Sequence, residues 1–389
     1  MTVATISKAA AIAGIGATEF SKESGRSELQ LACEATVNAL DDAGLSPADG
    51  DGMVTFTMDS NNEIEIARNV GIPELKFFSR IHHGGGAACG TVQQAVLAVA
   101  TGVAEVVVCY RAFNERSGQR FGRTDRINPA MAYDWYAPFG LVTPASWVAM
   151  FARRYMHDYG VKSEHFGHVA VADRKHAATN PKAWFYEKPI TLEQHQESRW
   201  IVEPMHLLDC CQESDGAVAL VVTTAERARD LAQKPAIIEA ASQGAARDQE
   251  SMTSFYRPDD EMAGLPEMGL VGRQLWDQSG LTPADIQTAV IYDHFTPFVL
   301  VQLEELGFCG RGEAKDFVAG GNIELGGGLP LNTHGGQLGE AYIHGMNGIA
   351  EAVRQIRGTA VNQVPDVDHV LVTAGTGVPT SGLIVGRDN

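Results

Sequence analysis

The chain repeats one of its own segments. Residues 41–49 read DDAGLSPAD and residues 277–285 read DQSGLTPAD. Each copy follows an amphipathic helical pattern, has a glycine where a helix would end, and leads into an apolar strand. The strand covers residues 52–57 in the first copy and residues 288–292 in the second. This internal duplication predicts that the chain folds as two similar halves.

A second pair of segments supports the duplication. Residues 104–109 and 368–373 each form an apolar strand pattern after a helix rich in glycine and alanine. Strands that alternate with helices at this spacing predict parallel or mixed sheets covered by helices, which is an α/β fold. We place the first half at residues 1–230 and the second half at residues 235–389.

The first half contains an insertion at residues 114–203. It is rich in charged and aromatic residues, and its tryptophans are Trp135, Trp147, Trp184 and Trp200. Loops of this length inside a compact domain are usually functional. We predict that the insertion makes a dimer contact and forms one wall of a pocket.

The charge balance excludes some classes of partner. The formal net charge is −18 and the isoelectric point is near 5.0, without a cluster of lysine and arginine. Such a chain repels phosphate backbones and anionic headgroups, so we expect no nucleic acid and no membrane partner. The apolar run at residues 9–15 is too short to span a bilayer. We expect a cytoplasmic protein.

The six cysteines fit neither a zinc spacing nor a disulfide framework, so we expect no metal. The glycines at Gly14 and Gly16 are not followed by the helix-opening glycine of a dinucleotide site. We therefore expect no nucleotide or other resident cofactor.

A segment near the C-terminus points to a family. Residues 332–348 read NTHGGQLGEAYIHGMNG. This resembles the loop N-P-S-G-G-L-I-S-K-G-H-P-L-G-A-T-G of thiolases of the sterol-carrier-protein-x type, and Asn332 and four glycines match it without a gap. The family's catalytic histidine falls on Tyr342. The resemblance implies a thiolase fold, with two duplicated βαβαβαββ halves in α-β-α-β-α layers.

Two further positions depart from the thiolase pattern. Residues 291–296 read IYDHFT and resemble the family's H-D-C-F segment, with Tyr292 in place of the histidine. Residues 373–375 read TAG where the family has C-x-G, so Thr373 replaces the acid–base cysteine. Both histidine positions are therefore tyrosines, and the sulfur groups of these two motifs are missing.

The nucleophilic cysteine of thiolases stands at a helix N-terminus, where the helix dipole favours the thiolate. Counting back from Val106 by the family's helix length places Gly85 at this position, and Cys89 lies about one turn further along. A rival alignment makes Cys89 the nucleophile. With Gly85 in register, residues 84–86 form a bare helix start with room for a bulky substrate and amides for an oxyanion or phosphate.

A thiolase fold without a nucleophile can still carry out one step of the thiolase reaction, the formation or quenching of a thioester enolate. A retro-aldol reaction uses this step. A tyrosine is suited to proton donation, and could act as a base if histidines or amides lower its pKa. We favour Tyr342 as the base. The candidate catalytic residues are Tyr292, Tyr342, His294 and His344. The candidate substrate-binding residues are Gly84, Gly85, Gly86, Asn332, His334 and Gly375.

A narrower family is similar along the whole chain. Residues 111–118, 292–295 and 339–345 resemble the thiolase-like steroid side-chain aldolases of actinobacterial sterol catabolism. The resemblance implies cleavage of a 17-hydroxy steroid three-carbon side-chain CoA thioester to a 17-ketosteroid and propionyl-CoA. It also implies a homodimer bound to an OB-fold and zinc-ribbon partner that is associated with a MaoC-like enoyl-CoA hydratase.

Two alternative functions remain open from the sequence. The first is a conventional thiolase or acyl-CoA acyltransferase that uses Cys89. The second is a non-catalytic lipid-binding scaffold subunit, in which Tyr292 and Tyr342 serve packing alone.

Overall fold

The computed structural model describes residues 6–82, 84–122, 136–255, 257–258 and 262–388. The strands in this part of the chain are β1 (Ala10–Ala17), β2 (Gly52–Phe56), β3 (Phe77–Ile81), β4 (Val106–Asn114), β5 (Trp200–Val202), β6 (Met205–His206), β7 (Asp215–Thr224), β8 (Ala236–Gly244), β9 (Thr288–Val290), β10 (His369–Ala374) and β11 (Thr380–Gly386). The α-helices there are α1 (Glu28–Ala43), α2 (Glu63–Val70), α3 (Ala88–Ala100), α4 (Pro144–Tyr159), α5 (Ser163–Thr179), α6 (Leu192–Glu197), α7 (Ala225–Ala228), α8 (Pro266–Ser279), α9 (Thr296–Glu305), α10 (Ala314–Phe317), α11 (Gly336–Gly339) and α12 (Met346–Arg357).

Nine of the described strands form one continuous hydrogen-bonded run, which divides at the pairing of β1 with β8 into two mixed sheets, one from each half. The first half contributes the order β3-β2-β4-β7-β1 and the second half the order β8-β11-β10-β9. A short antiparallel pairing of β1 with β8, at Ala11–Ile237 and Ile12–Ala236, joins them. Parallel pairing occurs between β2 and β3, β2 and β4, and β9 and β10. The predicted mixed sheets with covering helices are confirmed.

The helices occupy three layers. Helices α3 and α12 lie between the sheets and pack against strands of both halves, whereas α1 covers the outer face of the first sheet and α8 that of the second. The sequence of α3, ACGTVQQAVLAVA, carries no charged residue. An apolar helix of this kind suits a position that is covered on both sides. The resulting order of layers is α-β-α-β-α.

The duplicated segments have the same local structure in both halves. Gly44 follows the last residue of α1 with φ +73°, and Gly280 follows the last residue of α8 with φ +72°. A 3₁₀ turn follows each glycine, at Pro47–Asp49 and Pro283–Asp285. Next come β2 and β9, so the strands predicted from the repeat are confirmed, with β9 shorter than expected.

The insertion at residues 114–203 is mainly helical in its described part. It contains α4, α5 and α6, and α5 packs against α9 and α11 of the second half. Trp135 lies outside the described residues. The predicted dimer contact stays a prediction. Across the ranges described above, every helix is too short or too polar to cross a membrane.

The two helix-ending glycines provide a matched pair of stability predictions. A left-handed backbone costs a non-glycine residue about 1 kcal/mol. Gly280→Ala should lower the free energy of unfolding by about this amount, because a Cβ there meets no atom within 4 Å. Gly44→Ala should cost more, because its Cβ would lie 2.8 Å from the Cβ of Ala232. Urea unfolding of both variants would measure the difference, and equal losses would contradict it.

Candidate active site

Two tyrosines meet at the carboxyl end of the second sheet. Tyr292 follows β9, and Tyr342 lies in the loop between α11 and α12. Their hydroxyl oxygens form a hydrogen bond of 3.1 Å. Tyr292 is buried, whereas Tyr342 keeps part of its surface exposed. Tyr342 is therefore the more accessible of the two phenols.

The surroundings keep both phenols protonated. Burial raises the pKa of Tyr292 well above its ordinary value, against the lowering effect of the hydrogen bond with Tyr342. Burial also raises the pKa of Tyr342 well above its ordinary value, and the neighbouring Tyr292, Cys211 and Glu115 raise it further. The expectation that neighbouring histidines or amides lower a tyrosine pKa is wrong here, because loss of solvent outweighs the hydrogen bonds. The pair carries protons that it can donate.

A closed set of hydrogen bonds fixes the backbone of Tyr292. Its N–H donates to Thr373 Oγ1 at 2.9 Å, and its carbonyl accepts from Gln302 Nε2 at 2.9 Å. Thr373 Oγ1 in turn donates to Gln302 Oε1 at 2.7 Å. Thr373, which stands where the family has a cysteine, thus holds the tyrosine in place. Gln302 was not predicted from the sequence. The feature that could have indicated it is a single amide side chain within the apolar helix α9.

Asp293 fixes the loop that carries Tyr342. Its carboxylate accepts the N–H groups of Gln337 at 2.8 Å and Leu338 at 3.0 Å, in the short helix α11. Gly336 has φ +63°, and a Cβ there would lie 2.7 Å from the carboxyl carbon of Asp293. Burial raises the pKa of Asp293 to about 6. Because Asp293 is next to Tyr292, this contact brings the two tyrosines together.

The Tyr292 hydroxyl occupies the predicted nucleophile position. A Cβ at Gly85 would lie 2.7 Å from Tyr292 Cζ and closer still to the hydroxyl oxygen. A Cβ at Gly84 would meet Met58 Sδ, and one at Gly86 would meet the carbonyl oxygen of Pro379. The expectation of an open helix start at Gly84, Gly85 and Gly86 is therefore wrong, because protein atoms fill the space that a side chain there would take.

Cys89 lies in the middle layer of the fold. It is fully buried, and its Sγ is 3.8 Å from the carbonyl oxygen of Val372. Burial raises the pKa of the Cys89 thiol well above its ordinary value. A thiol in this environment disfavours the thiolate that a thiolase nucleophile requires.

His294 packs between Tyr292 and Phe298. Its ring stacks on Phe298 with centroids 5.1 Å apart, and lies 4.8 Å from the ring of Tyr292. Its Nε2 is 3.4 Å from Thr376 Oγ1. Burial lowers the pKa of His294 to about 3, so the ring is neutral at physiological pH.

His344 lies beside the other tyrosine. Its ring centroid is 4.6 Å from that of Tyr342. Three phenylalanine rings lie nearly perpendicular to it, those of Phe56, Phe113 and Phe121. The structure thus brings all four predicted catalytic residues into one cluster. Their catalytic roles stay predictions.

The remaining predicted binding residues face the protein interior. Asn332 Oδ1 accepts the N–H of Ile291 at 3.0 Å, which anchors the loop to the end of β9. His334 is buried 3.9 Å from Glu340, and burial lowers its pKa to about 3. A Cβ at Gly375 would lie 2.8 Å from Met268 Cε. Contact of Asn332, His334 or Gly375 with substrate stays a prediction.

A buried ion pair beside the site was not expected. Arg111 of β4 is fully buried, and its Nη1 is 3.0 Å from Asp59 Oδ2. Glu115 is buried nearby, and burial and Glu213 raise its pKa well above its ordinary value. The sequence feature that could have predicted this ion pair is the one arginine within the apolar run VVVCYRAF of β4. Charged residues are almost never fully buried unless they are paired, so an arginine there indicates a specific partner.

The comparisons with known proteins define the class first. Residues 251–385 match the family described as Thiolase C-terminal domain-like. With the duplicated halves and the layered sheets, this identifies a thiolase-type fold, and the predicted fold class is confirmed.

Near relatives identify the family. The chain is 72% identical to the steroid side-chain-cleaving aldolase of Thermomonospora curvata, over 98% of both chains. It is 70% identical to the 17-hydroxy-3-oxo-4-pregnene-20-carboxyl-CoA lyase of Mycobacterium tuberculosis, over 98% of this chain and 100% of the relative. The solved Ltp2-ChsH2(DUF35) aldolase has 72% identity and a TM-score of 0.94 over 99% of both chains. The chain belongs to the family of the steroid side-chain-cleaving aldolases, which confirms the narrower resemblance.

The overlap of Gly85 with Tyr292 predicts a strong coupling between them. Gly85→Ala alone should destabilise the fold by roughly 1–3 kcal/mol, because the added methyl overpacks the site. In a Tyr292→Ala background the same substitution should cost far less, since the ring is gone. A double-mutant cycle of unfolding free energies measures this coupling. Equal costs in both backgrounds would show that the phenol does not fill this position.

Proposed function

We propose that this chain cleaves a 17-hydroxy steroid three-carbon side-chain CoA thioester by a retro-aldol reaction without a cysteine nucleophile. The products are a 17-ketosteroid and propionyl-CoA. The placement of the Tyr292 hydroxyl in the space of a residue-85 side chain carries the proposal, because it leaves no room for a nucleophile there. The names of the two near relatives support the substrate class.

The tyrosine pair relays one proton. The bond between the 17-carbon and the side chain breaks, its electrons move into the thioester as an enolate, and the hydroxyl becomes the ketone. Tyr342, the more exposed phenol, accepts the substrate's hydroxyl proton and passes its own proton to Tyr292. Tyr292 then protonates the α-carbon of the enolate. Because both phenols have raised pKa values, a relay that leaves them neutral suits the pair better than a standing tyrosinate.

Removal of either phenol oxygen should slow the reaction. General acid–base participation is typically worth roughly 10²–10⁴ in rate. We therefore expect Tyr292→Phe and Tyr342→Phe to lose kcat on about that scale, with a double variant far from additive because both act on one proton path. Propionyl-CoA release from a 17-hydroxy steroid acyl-CoA is the measurement, made with the partner protein present and absent.

Cys89→Ala is the matched control for these variants. It removes a buried polar atom from the rival nucleophile, and we expect most of the activity to remain. A covalent acyl group trapped on Cys89 during turnover would instead favour the thiolase alternative. Near-wild-type turnover in both phenylalanine variants would show that the two phenols serve packing alone and would contradict the proton relay.

We also propose that an OB-fold and zinc-ribbon partner, itself associated with a MaoC-like enoyl-CoA hydratase, completes the CoA site. The solved relative is an Ltp2-ChsH2(DUF35) aldolase, which supports a partner of the DUF35 type. The charge of −18 on this chain gives a second reason for positive charge from elsewhere to contact CoA phosphates. The cytoplasmic location and the lack of a resident cofactor or metal stay predictions.

A homodimer through β3 is the third part of the proposal. Strand β3 is an edge strand of the first sheet, and Phe78 on it is 56% exposed. An unprotected edge strand with an exposed aromatic side chain is a template for pairing with a second strand.

Phe78→Lys should therefore shift the protein from dimer to monomer, because it places a charge in the proposed contact. Val361→Lys is the control, since Val361 is 55% exposed in the loop between α12 and β10. Light scattering coupled to size exclusion would measure both masses. A dimer that survives Phe78→Lys would place the interface elsewhere.

A further inference from the structure

A second buried acid lies beside the loop that carries Tyr342. Asp173 is on α5, which packs against the short helix α11. A Cβ on Gly339 of α11 would lie 3.0 Å from the carbonyl oxygen of Asp173. The Asp173 side chain hydrogen-bonds with that of Asp293, and both residues are 1% exposed. Helix α5 and the segment that carries Tyr292 therefore meet at a pair of carboxyl groups.

The two carboxyl groups share one proton. Two carboxylates that touch in the protein interior repel each other, and water is absent to screen them. Within the described ranges, no lysine, arginine or histidine forms an ion pair with Asp173 or Asp293 that would offset this repulsion. One carboxyl of such a pair stays protonated at neutral pH.

The hydrogen bonds place this proton on Asp173. Asp293 accepts the N–H groups of Gln337 and Leu338, and backbone donors of this kind favour the ionised form of a carboxyl group. Asp173 Oδ2 is buried, and it meets no donor in the part of the chain that the structure describes. Burial and the neighbouring Asp293 raise the pKa of Asp173 well above its ordinary value. Asp173 is therefore the donor of the pair, and Asp293 is the acceptor.

The other charged and titratable groups on α5 and on the elements around it are engaged with other partners. These contacts join Arg174 to the carbonyl of Lys188, His176 to the N–H of Leu325, His195 to Asp209, Glu304 to Tyr155, Lys315 to the carbonyl of Tyr159, and His334 to Glu340. The protonation of the pair is therefore set by Asp173 and Asp293 themselves.

We propose that Asp173 is a positioning residue that holds the Tyr342 loop by donating a carboxylic acid hydrogen bond to Asp293. Its effect on rate rests on the proposed retro-aldol function. The Asp173 donor favours ionised Asp293, and the ionised carboxylate accepts both N–H groups of α11. A proton on Asp293 would turn one of its oxygens into a donor, so that one of these N–H groups would lose its acceptor. Asp173 acts on the reaction only through the position of Tyr342.

The variants Asp173→Asn and Asp173→Leu separate the hydrogen bond from packing. The two new side chains have similar shapes, but only the amide can donate to Asp293. Asp173→Leu should lower kcat by roughly 10²-fold, the usual effect of displacing a catalytic group by about 1 Å. Asp173→Asn should retain much more of the activity, because it keeps the donor.

The pH dependence of kcat gives a second comparison of these variants. Because the pKa of Asp293 is about 6, the kcat of the wild type should rise through this pH as Asp293 ionises. This rise should move to higher pH in Asp173→Leu, because the ionised form of Asp293 has lost a donor. It should stay near its original position in Asp173→Asn.

The proton on Asp173 can also be measured without activity. The folded chain keeps this proton, whereas the unfolded chain loses it near the ordinary pKa of 3.8. The wild type therefore becomes less stable as pH rises, until folded Asp173 ionises, and Asp173→Asn lacks this loss. Above about pH 6.5, the unfolding constant of the wild type should increase relative to that of Asp173→Asn by roughly tenfold per pH unit. Urea unfolding of the full chain at several pH values measures this ratio.

Two results would overturn the inference. An Asp173→Leu variant as active as Asp173→Asn would exclude the positioning role. A constant ratio of the two unfolding constants would exclude the proton on Asp173, and this measurement decides the matter even where Asp173→Leu does not fold. Failure of the proposed function looks different, because Tyr292→Phe and Tyr342→Phe would then stay active while the ratio of unfolding constants still changes with pH.

Discussion

The carboxylate of Asp293 holds the site together. It joins the end of β9 to the two amides that open α11, and so connects the segment that carries Tyr292 to the loop that carries Tyr342. Hydrogen bonds to a charged group contribute about 1.5–3 kcal/mol each, more than those between neutral groups. The glycine at position 336 is required because a side chain there would overlap the carboxylate. The relative position of the two phenols therefore depends on one buried acid and on the absence of one Cβ.

The same kind of exclusion explains why the thiolase nucleophile and the tyrosine pair are incompatible. The glycines Gly84, Gly85 and Gly86 lie in the turn that leads into α3, and the Tyr292 ring lies where a residue-85 side chain would project. A cysteine at residue 85 would displace the phenol, and the phenol prevents a cysteine. The frame can thus present either a nucleophile or a protonated hydroxyl at this point.

The fold could be predicted because the repeated sequence segments have the same local structure in both halves. Gly44 and Gly280, with the capped turns that follow them, mark the same helix-to-strand connection in each half. The positions of Tyr292 and Tyr342 were also predictable, since loops with matching glycines place a side chain at a known point. The filled space above Gly85 could not be predicted, because it depends on how far a ring reaches across two loops. The contact between Arg111 and His344 could not be predicted either, because the two residues are far apart in sequence.

Burial gives the physical reason for tyrosine in place of histidine. Loss of water disfavours the charged form of any side chain, so it removes the extra proton from histidine and keeps the proton on a phenol. His294 illustrates the first effect, with a pKa lowered to about 3, and Tyr292, in ring contact with it, illustrates the second. At neutral pH a buried histidine here has no spare proton to give, while a buried tyrosine has one. In a pocket this dry, a step that protonates an enolate is better served by the weaker acid, because that acid is the one still protonated when the substrate arrives.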